Sequence, residues 1–257
     1  MTNSEKAQQL LALHTDPDLL YVVNVWDVIS ATVVADVPGT KALATASHSI
    51  AASLGYPDGE KIPVDEMVEA CRRIAAATDL PVSADLEAGY GDAGETTRKA
   101  IDAGIVGANL EDQMKPLPDA VAAVAAVVAA GEQAGVPFVL NARTDAFLKA
   151  GDRDPAEVLA DAIERGKAFL DAGAACVFVP GMLDIATITA LVEGIGERRV
   201  STIGLPGTPA PAEQQAAGVA RISYGPWTQR VALTALADTA AELMAGGALP
   251  EGTRPLN

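Results

Sequence analysis

Two acidic residues, Asp85 and Glu87, stand two positions apart at the end of an apolar run. Alternate residues of a β-strand face the same side, so both carboxylates would point the same way. Converging carboxylates repel each other unless a cation neutralises them, and oxygen donors favour Mg²⁺ or Mn²⁺. The segment predicts a divalent metal site, with a solvated pair of loop acids as the alternative interpretation.

Arg143 is the basic residue best placed to bind an anionic substrate. It follows an apolar run, in Asn141-Ala-Arg143-Thr-Asp145. A guanidinium can hold a carboxylate through two parallel hydrogen bonds. An internal salt bridge to Glu111 or Asp145 is the alternative, and both interpretations can hold together.

Short β-branched runs alternate with longer alanine-rich segments along the chain, and this alternation indicates which elements position these residues. The predicted strands cover residues 20–25, 42–47, 81–86, 106–110, 138–141, 175–179, 200–204 and 219–224. The helices predicted after them cover 27–35, 64–77, 93–103, 118–134, 155–172, 184–194, 211–217 and 227–245. Eight strand–helix units predict one α/β domain over residues 1–257, a (β/α)₈ TIM barrel with a loose tail from about 246.

Polar residues collect where the predicted strands end, which is where such barrels carry their chemistry. They include Asn24, Trp26, Thr45, Ser47, Asp85, Glu87, Glu111, Asp112, Asn141, Arg143 and Ser223. No G-x-G-x-x-G follows the first predicted strand and no G-x-x-x-x-G-K occurs, which disfavours a nucleotide cofactor. The two cysteines and two histidines are too few for a zinc cage, so oxygen ligands are expected.

Composition narrows the class of protein further. The 257 residues carry a formal net charge of −16, with no basic stretch, so a nucleic-acid partner is not expected. The longest uncharged apolar run is well short of the roughly 20 residues of a membrane span. The N-terminus is polar and lacks a signal-like apolar segment, so we expect a cytoplasmic protein without a membrane partner.

Taken together, the motifs resemble the isocitrate lyase/phosphoenolpyruvate mutase superfamily. The matching segments keep the family's order over roughly residues 20 to 225. They are Asn24-Val-Trp26-Asp27, Ala44-Thr45-Ala-Ser47, Gly55-Tyr56-Pro57-Asp58-Gly-Glu60, Ser83-Ala-Asp85-Leu-Glu87-Ala-Gly89-Tyr90-Gly91, Glu111-Asp112 and Asn141-Ala-Arg143-Thr-Asp145. Each segment is weak evidence alone, whereas the ordered combination is specific.

The resemblance implies a (β/α)₈ barrel in which Asp85 binds Mg²⁺ directly. Asp58, Glu87 and Glu111 are then expected to act mainly through coordinated waters. The implied substrates are small 2-oxo or 2-hydroxy carboxylates that react through an enolate stabilised by the metal. We expect the substrate-binding residues to be Trp26, Ser47, His48, Ser49, Asp85, Asn141 and Arg143, and the catalytic residues to be Arg143, Glu111 and His48. The family also implies a homotetramer in which the last helix is exchanged between subunits.

The segment after the fourth strand departs from the family pattern. Lyases that cleave isocitrate or methylisocitrate carry K-[KR]-C-G-H there, with a cysteine as general acid or base. This chain instead reads Gln113-Met-Lys115-Pro-Leu-Pro118. The longer gating loop of the phosphomutases is also absent, and only Lys115 remains of its polar residues. The sequence therefore resembles a short-loop subgroup of 2-oxo acid lyases and oxaloacetate decarboxylase-like members.

His48 offers a substitute for the missing cysteine. A histidine at the mouth of the barrel can supply the proton that the family's loop cysteine delivers. The alternative is that His48 turns away and packs against the second helix.

Three functional interpretations follow. The leading one is a Mg²⁺-dependent lyase that breaks or forms a carbon–carbon bond. The others are phosphorus–carbon chemistry of the phosphoenolpyruvate mutase or phosphonopyruvate hydrolase type, and a non-catalytic barrel that binds a carboxylate.

Overall fold

Strands and helices alternate along residues 1–256, the part of the chain that the computed structural model describes. The strands are β1 (Leu20–Val25), β2 (Leu43–Thr45), β3 (Val82–Asp85), β4 (Gly107–Glu111), β5 (Val139–Arg143), β6 (Cys176–Phe178), β7 (Val200–Ile203) and β8 (Arg221–Ser223). The helices are α1 (Asn3–Thr15), α2 (Val28–Ala35), α3 (Ser47–Ser53), α4 (Val64–Ala76), α5 (Ala93–Asp102), α6 (Leu117–Gln133), α7 (Pro155–Asp171), α8 (Ile185–Ile195), α9 (Pro211–Ala216) and α10 (Trp227–Met244).

The eight strands form a closed barrel in sequence order, and every neighbouring pair is parallel. The pairing sets polar residues of adjacent strands side by side, with Asp85 opposite Asn109 and Glu111 opposite Arg143. The predicted TIM barrel is therefore confirmed. The predicted strands extend at most two residues beyond either end of the observed ones, whereas β4 and β5 end one and two residues later than predicted, at Glu111 and Arg143.

The helices bury one face each against the outside of the barrel. In α4, for example, Met67, Cys71 and Ile74 are fully buried. Their spacing of four and three residues places them on one face of a helix. Helix α4 packs in this way over Val82 and Ala84 of β3, the strand that ends at Asp85.

Two helices were not predicted from the sequence. Helix α1 begins with a capping box in which Thr2 and Glu5 bind each other's backbone amides, and it buries Ala7 and Leu10 against the N-terminal parts of the strands. Helix α3 starts at Ser47, which the sequence analysis placed at the end of a strand. It has only seven residues and no side-chain cap, so its sequence gives little signal.

Inward-facing residues of the strands form two polar layers. Residues two positions apart share a face, so Ser83 lies one layer below Asp85, and Asn141 one layer below Arg143. In the lower layer Asn141 donates to Asn109 Oδ1 at 2.8 Å. Arg221 is fully buried there and donates to Ser83 Oγ at 3.2 Å. A positive charge thus lies inside the barrel, beneath the acidic residues.

No helix in this part of the chain combines the length and apolarity needed to cross a membrane. Residues 246–256 follow α10, contain no helix or strand, and are exposed. The predicted tail also includes residue 257, which lies outside the described residues.

The buried histidine of α1 makes stability depend on pH. His14 is 1% exposed, its Nδ1 lies 2.8 Å from Leu10 O, and burial together with nearby Arg221 lowers its pKa to about 3. The unfolded chain protonates this residue near pH 6.5, so between these values the unfolded state binds more protons and acid destabilises the fold. Between pH 7.5 and pH 5.5, the free energy of unfolding measured in urea should fall by about 1 kcal/mol less in His14→Gln than in the wild type.

His48→Gln is the matched control for this experiment, because His48 is half-exposed rather than buried. Identical pH dependence of the unfolding free energy in His14→Gln and the wild type would contradict the assignment.

Candidate active site

A cavity of about 290 Å³ opens at the C-terminal ends of the strands. Its polar lining comes from Asn24, Ser47, His48, Asp58, Asp85, Asn109, Arg143 and Ser223. Its apolar lining comes from Leu148, Phe178, Pro180, Met182, Ile203 and Leu205, among others. Five of the residues predicted for metal, substrate or proton chemistry therefore meet in one cavity: Ser47, His48, Asp58, Asp85 and Arg143.

Asp85, the last residue of β3, is held by the start of α3. Its Oδ2 accepts hydrogen bonds from Ser47 N at 3.1 Å and Ser47 Oγ at 2.6 Å, and its own amide donates to Thr45 Oγ1 at 3.0 Å. The Ser47 amide is free because the first turn of a helix leaves its N–H groups unpaired. Asp85 Oδ1 makes no hydrogen bond within residues 1–256, so one oxygen of this carboxylate is open.

Glu60 and Tyr90 hold the side chain of Glu87 in place, and we call these three residues the clamp. Glu87 accepts hydrogen bonds from the Glu60 amide and, at 2.7 Å, from the Tyr90 hydroxyl. Tyr90 N in turn donates to Glu60 Oε1 at 2.6 Å. All three residues have positive φ, between 51° and 58°, a conformation that side chains rarely adopt. Such strain persists only where surrounding contacts hold it, and it is typical of functional sites.

Gly89 makes the turn between Glu87 and Tyr90 possible. Its φ is +91°, and a Cβ there would lie 2.7 Å from Cα of Ala93. No side chain fits this position without moving α5, so the turn needs glycine.

The charges of these carboxylates act on one another. Burial raises the pKa of Glu87, and the negative charges of Asp85 and Asp58 raise it further, against hydrogen bonds from Tyr90 and Glu60. Burial likewise raises the pKa of Glu111 to about 7; Arg143 opposes this rise, while Asp145 and Asp85 add to it. The negative charge of Asp85 thus contributes to the raised pKa of both Glu87 and Glu111.

Arg143 forms two ion pairs on the other side of Asp85. Its Nη1 lies 2.8 Å from Glu111 Oε2, and its Nε lies 2.8 Å from Asp145 Oδ1. Burial acts to lower the pKa of Arg143, but the nearby carboxylates of Glu111, Asp145 and Asp85 raise it. The salt bridges of Arg143 to Glu111 and Asp145 are therefore present in the structure. The Nη2 atom of Arg143 makes no hydrogen bond to the described residues.

His48 lines the cavity, whereas the alternative interpretation had it turn away toward the second predicted helix, now α4. Its Nδ1 lies 3.4 Å from Asp58 Oδ2, and 42% of its side chain is exposed. The Nε2 atom is then the one available to a bound molecule.

The donor set fits a hard divalent cation held mostly through water. Within residues 1–256, no three or more His, Cys, Asp or Glu side chains converge closely enough to enclose a metal directly. Instead, Asp85 offers one open oxygen, and the glutamates around it carry raised pKa values that a cation would relieve. Mg²⁺ commonly keeps several waters and binds one or two carboxylates, which matches this arrangement.

Five predicted site residues lie outside the cavity lining. Trp26 faces an outer groove between α2 and α4, because Asp27 immediately caps α2. Asn141 and Ser49 are fully buried, Asn141 in the lower layer of the barrel. Glu87 sits in its clamp behind Asp85, and Glu111 lines a small neighbouring cavity beside Arg143.

Sequence reasoning missed two sets of functional candidates. One is the role of Glu60, whose only sequence signal is its place in the Asp58-Gly-Glu60 segment. The other is the apolar side of the cavity, which comes from loops after β5, β6 and β7 that carry no motif.

The segment after β4, residues 112–116, is fixed by a buried ion pair. Asp112 Oδ1 accepts from the amides of Met114 and Asp145, and its Oδ2 lies 3.1 Å from Arg165 Nη1. Arg165 also donates to Lys115 O at 3.0 Å, and Lys149 Nζ donates to Gln113 O at 3.0 Å. The short segment is therefore tied both to α7 and to the segment after β5.

Arg165→Met should destabilise the protein by roughly 3 kcal/mol, because it leaves the carboxylate of Asp112 buried without its counter-ion. Urea unfolding at pH 7.5 measures this loss. Arg72→Met is the matched control, since its pair with Glu69 is exposed and exposed ion pairs contribute little to stability. Equal losses in the two variants would mean that the Asp112 pair does not hold the segment.

Comparison with known proteins adds a family context to this geometry. A family model described as phosphoenolpyruvate phosphomutase matches residues 10–244. The 2-methylisocitrate lyase of Bacillus subtilis is 28% identical over 197 residues, which are 69% of this chain and 62% of that protein. The oxaloacetate decarboxylase of Pseudomonas aeruginosa is 30% identical over 178 residues, which are 67% of this chain and 62% of that protein. The chain thus spans less than two thirds of these relatives.

Solved structures match over more of the chain. A candidate phosphonomutase from Burkholderia cenocepacia J2315 is 41% identical, with a TM-score of 0.87 over 92% of this chain and 99% of that one. Oxaloacetate acetylhydrolase in complex with the product oxalate is 26% identical, with a TM-score of 0.87 over 99% of this chain and 92% of that one.

Proposed function

Because the chain belongs to the isocitrate lyase/phosphoenolpyruvate mutase superfamily, we propose that it is a Mg²⁺-dependent lyase that breaks or forms a carbon–carbon bond in a small 2-oxo or 2-hydroxy carboxylate. One observation carries this proposal: Asp85 and Arg143 line the same cavity, and within residues 1–256 each keeps one polar atom without a hydrogen-bond partner, Oδ1 of Asp85 and Nη2 of Arg143. An acidic wall for a cation and a guanidinium for a carboxylate are the two features that such a substrate requires.

Asp85 would hold Mg²⁺ directly, and Asp58, Glu87 and Glu111 would hold it through waters. The bound ion would act as a Lewis acid toward negative charge that develops on an oxygen beside the reacting bond. Ser47 fixes the orientation of Asp85. The amide of His48, in the first turn of α3, would bind a substrate carboxylate together with Arg143, whereas Ser49 is fully buried and would only support this turn.

Trp26 and Asn141 would act on substrate binding from outside the cavity. Trp26 packs beside the start of α2, and Asn141 supports Asn109, which lines the cavity. We assign both residues a supporting role.

His48 would deliver the proton that the reaction needs. Its Nδ1 faces Asp58, so the imidazolium form of His48 would carry its second proton on Nε2, pass it to the substrate and return to the neutral ring. Turnover of His48→Gln equal to that of the wild type would remove this residue from the mechanism.

Phosphorus–carbon chemistry is the second candidate, favoured by the 41% identity to the candidate phosphonomutase. The cavity supports it less well. Within residues 1–256, Arg143 is the only lysine or arginine that lines the cavity, and it already pairs with two carboxylates. Lys115 lines the small neighbouring cavity instead.

The test is a substrate panel followed by proton and phosphorus NMR, with Mg²⁺ or with EDTA. The panel contains oxaloacetate, 2-methylisocitrate, 2,3-dimethylmalate and phosphonopyruvate. Loss of a carbon–carbon substrate only in the presence of Mg²⁺ would support the lyase. Exchange between phosphonate and phosphate ester signals would favour the second candidate, and binding shifts without turnover would indicate a non-catalytic barrel.

We also propose that the protein is a homotetramer in which α10 packs on a neighbouring subunit. Only Gln229 of α10 is buried, whereas Val231, Leu233 and Leu236 are each more than half exposed. A groove lined by Trp26, Val28, Ile29, Ile50 and Leu54 lies open between α2 and α4. Contiguous apolar surfaces of this kind mark protein–protein contacts.

The variant Val231→Asp/Leu236→Asp tests this assembly, because two charges cannot be buried in an apolar contact without large cost. Light scattering should give about four times the chain mass of 26.2 kDa for the wild type and a smaller species for the variant. Asp171→Asn, at the exposed end of α7, is the control. An unchanged mass in the double variant would exclude α10 from the contact.

A further inference from the structure

The two sides of the active-site cavity differ in chemistry. One side carries His48, Asp58, Asp85 and Arg143. The lining from β5 to β7 beyond Arg143 is an apolar wall formed by Leu148, Phe178, Pro180, Met182, Ile203 and Leu205. The wall is built from β6, the end of β7 and the loops after β5, β6 and β7, so three neighbouring strand ends contribute to it.

No basic side chain on the described part of the chain serves this wall. Arg143 is held on the acidic side by Glu111 and Asp145, each at 2.8 Å. Lys149, the nearest lysine along the chain to Leu148, directs its Nζ to Gln113 O at 3.0 Å and to Asp145 at 3.7 Å. The cavity's capacity to bind anionic groups therefore rests on Nη2 of Arg143, which has no partner within residues 1–256, on a metal at Asp85 and on the His48 amide.

An anionic group pressed against this wall would lose its water without gaining a partner, which is strongly unfavourable. An alkyl group in the same place would gain by leaving water. The wall also reaches the mouth of the cavity, where Met182 is 63% and Leu148 is 53% exposed. Apolar side chains at these positions extend the favourable surface outward, so groups of more than one carbon can contact it.

We infer that the part of the substrate that lies away from Asp85 and Arg143 is an uncharged alkyl group. This inference rests on the proposed function. It selects, among small 2-oxo and 2-hydroxy carboxylates, those with an alkyl substituent or tail, and it disfavours tricarboxylates and phosphonates, which would place a further anion against the wall. Met182 and Leu148 are then specificity-determining residues rather than catalytic ones.

The experiment is calorimetric binding of 2-oxo acids in saturating Mg²⁺. Pyruvate, 2-oxobutyrate and 2-oxovalerate lengthen the alkyl tail one carbon at a time. The pair 5-methyl-2-oxohexanoate and 2-oxoglutarate have similar shapes, but one ends in an isopropyl group and the other in a carboxylate. We expect Kd to fall about threefold for each added carbon, and the isopropyl compound to bind at least about tenfold more tightly than 2-oxoglutarate.

Met182→Lys gives the sharper test, because its exposed position tolerates a charged side chain. This variant should bind 2-oxoglutarate more tightly and 5-methyl-2-oxohexanoate more weakly than the wild type. The control Val37→Lys, at a position that is also more than half exposed and follows α2, should change neither affinity. Equal Kd values for pyruvate, 2-oxobutyrate and 2-oxovalerate would overturn the inference, and so would an unchanged ligand preference in Met182→Lys. In either case, Mg²⁺-dependent binding of pyruvate would leave the proposed function standing. Failure of every 2-oxo acid to bind would overturn both.

Discussion

Replacing Asp85 by asparagine is expected to lower turnover of the lyase substrate by roughly 10³-fold or more. Asparagine keeps the size of the side chain, and its amide can still meet Ser47, so the first turn of α3 should stay in place. What is lost is the negative charge whose open oxygen we assign to Mg²⁺. The two glutamates that sense this charge cannot replace it, because one is clamped by Tyr90 and Glu60 and the other is paired with Arg143.

Two measurements separate a metal effect from a folding effect. Mn²⁺ binding, followed by electron paramagnetic resonance, should weaken in Asp85→Asn in parallel with turnover, while the urea midpoint changes little. The matched control Asp171→Asn removes an exposed acid at the end of α7 and should leave both unchanged. Wild-type Mn²⁺ affinity in Asp85→Asn would contradict the assignment of Asp85 as the direct ligand.

Removing the guanidinium of Arg143 is expected to have the second-largest effect. Arg143→Met should raise KM about 100-fold, because a charge-assisted contact to the substrate carboxylate is lost. It should also lower the free energy of unfolding by roughly 3 kcal/mol, since Glu111 and Asp145 lose their shared partner in a buried site.

The variant Arg143→Lys separates the effect on KM from the effect on stability. Lysine keeps the positive charge but not the planar fork, so it should recover part of the stability and little of the substrate affinity. Steady-state kinetics and urea unfolding of the same preparations provide the comparison, with Arg72→Met as the control for losing an exposed arginine. A KM in Arg143→Lys equal to that of the wild type would show that charge alone, and not the fork, binds the carboxylate.

The barrel could be predicted because each strand and its following helix carry separate signals. Apolar β-branched runs mark the strands, and the proline at the start of α7 and the glycine after α5 mark helix ends. Helix α1 was missed because its buried residues are only Ala7, Leu10 and His14, too few to produce a clear periodic pattern. Helix α3 was missed because it is a single short element inserted before α4.

The active site could be predicted as a set of residues but not as an arrangement. Barrel closure brings the strand ends together, which is why Asp85, Arg143 and Ser47 meet as expected. The sequence does not reveal depth along a strand, so Asn141, two residues before Arg143, was expected at the substrate but lies one layer lower. Nor does it reveal where a chain turns, and Trp26 leaves the barrel mouth because α2 begins at the next residue but one.

We expect the order of the segment fixed by Asp112 and Arg165 to affect the kinetics of substrate exchange. A segment that is already ordered loses little conformational entropy when a ligand arrives, and no closing motion has to precede the chemical step. Substrate and product would then pass through a permanently open entrance. Their exchange rates should follow diffusion and vary with solvent viscosity, without a slower phase that reports a moving lid.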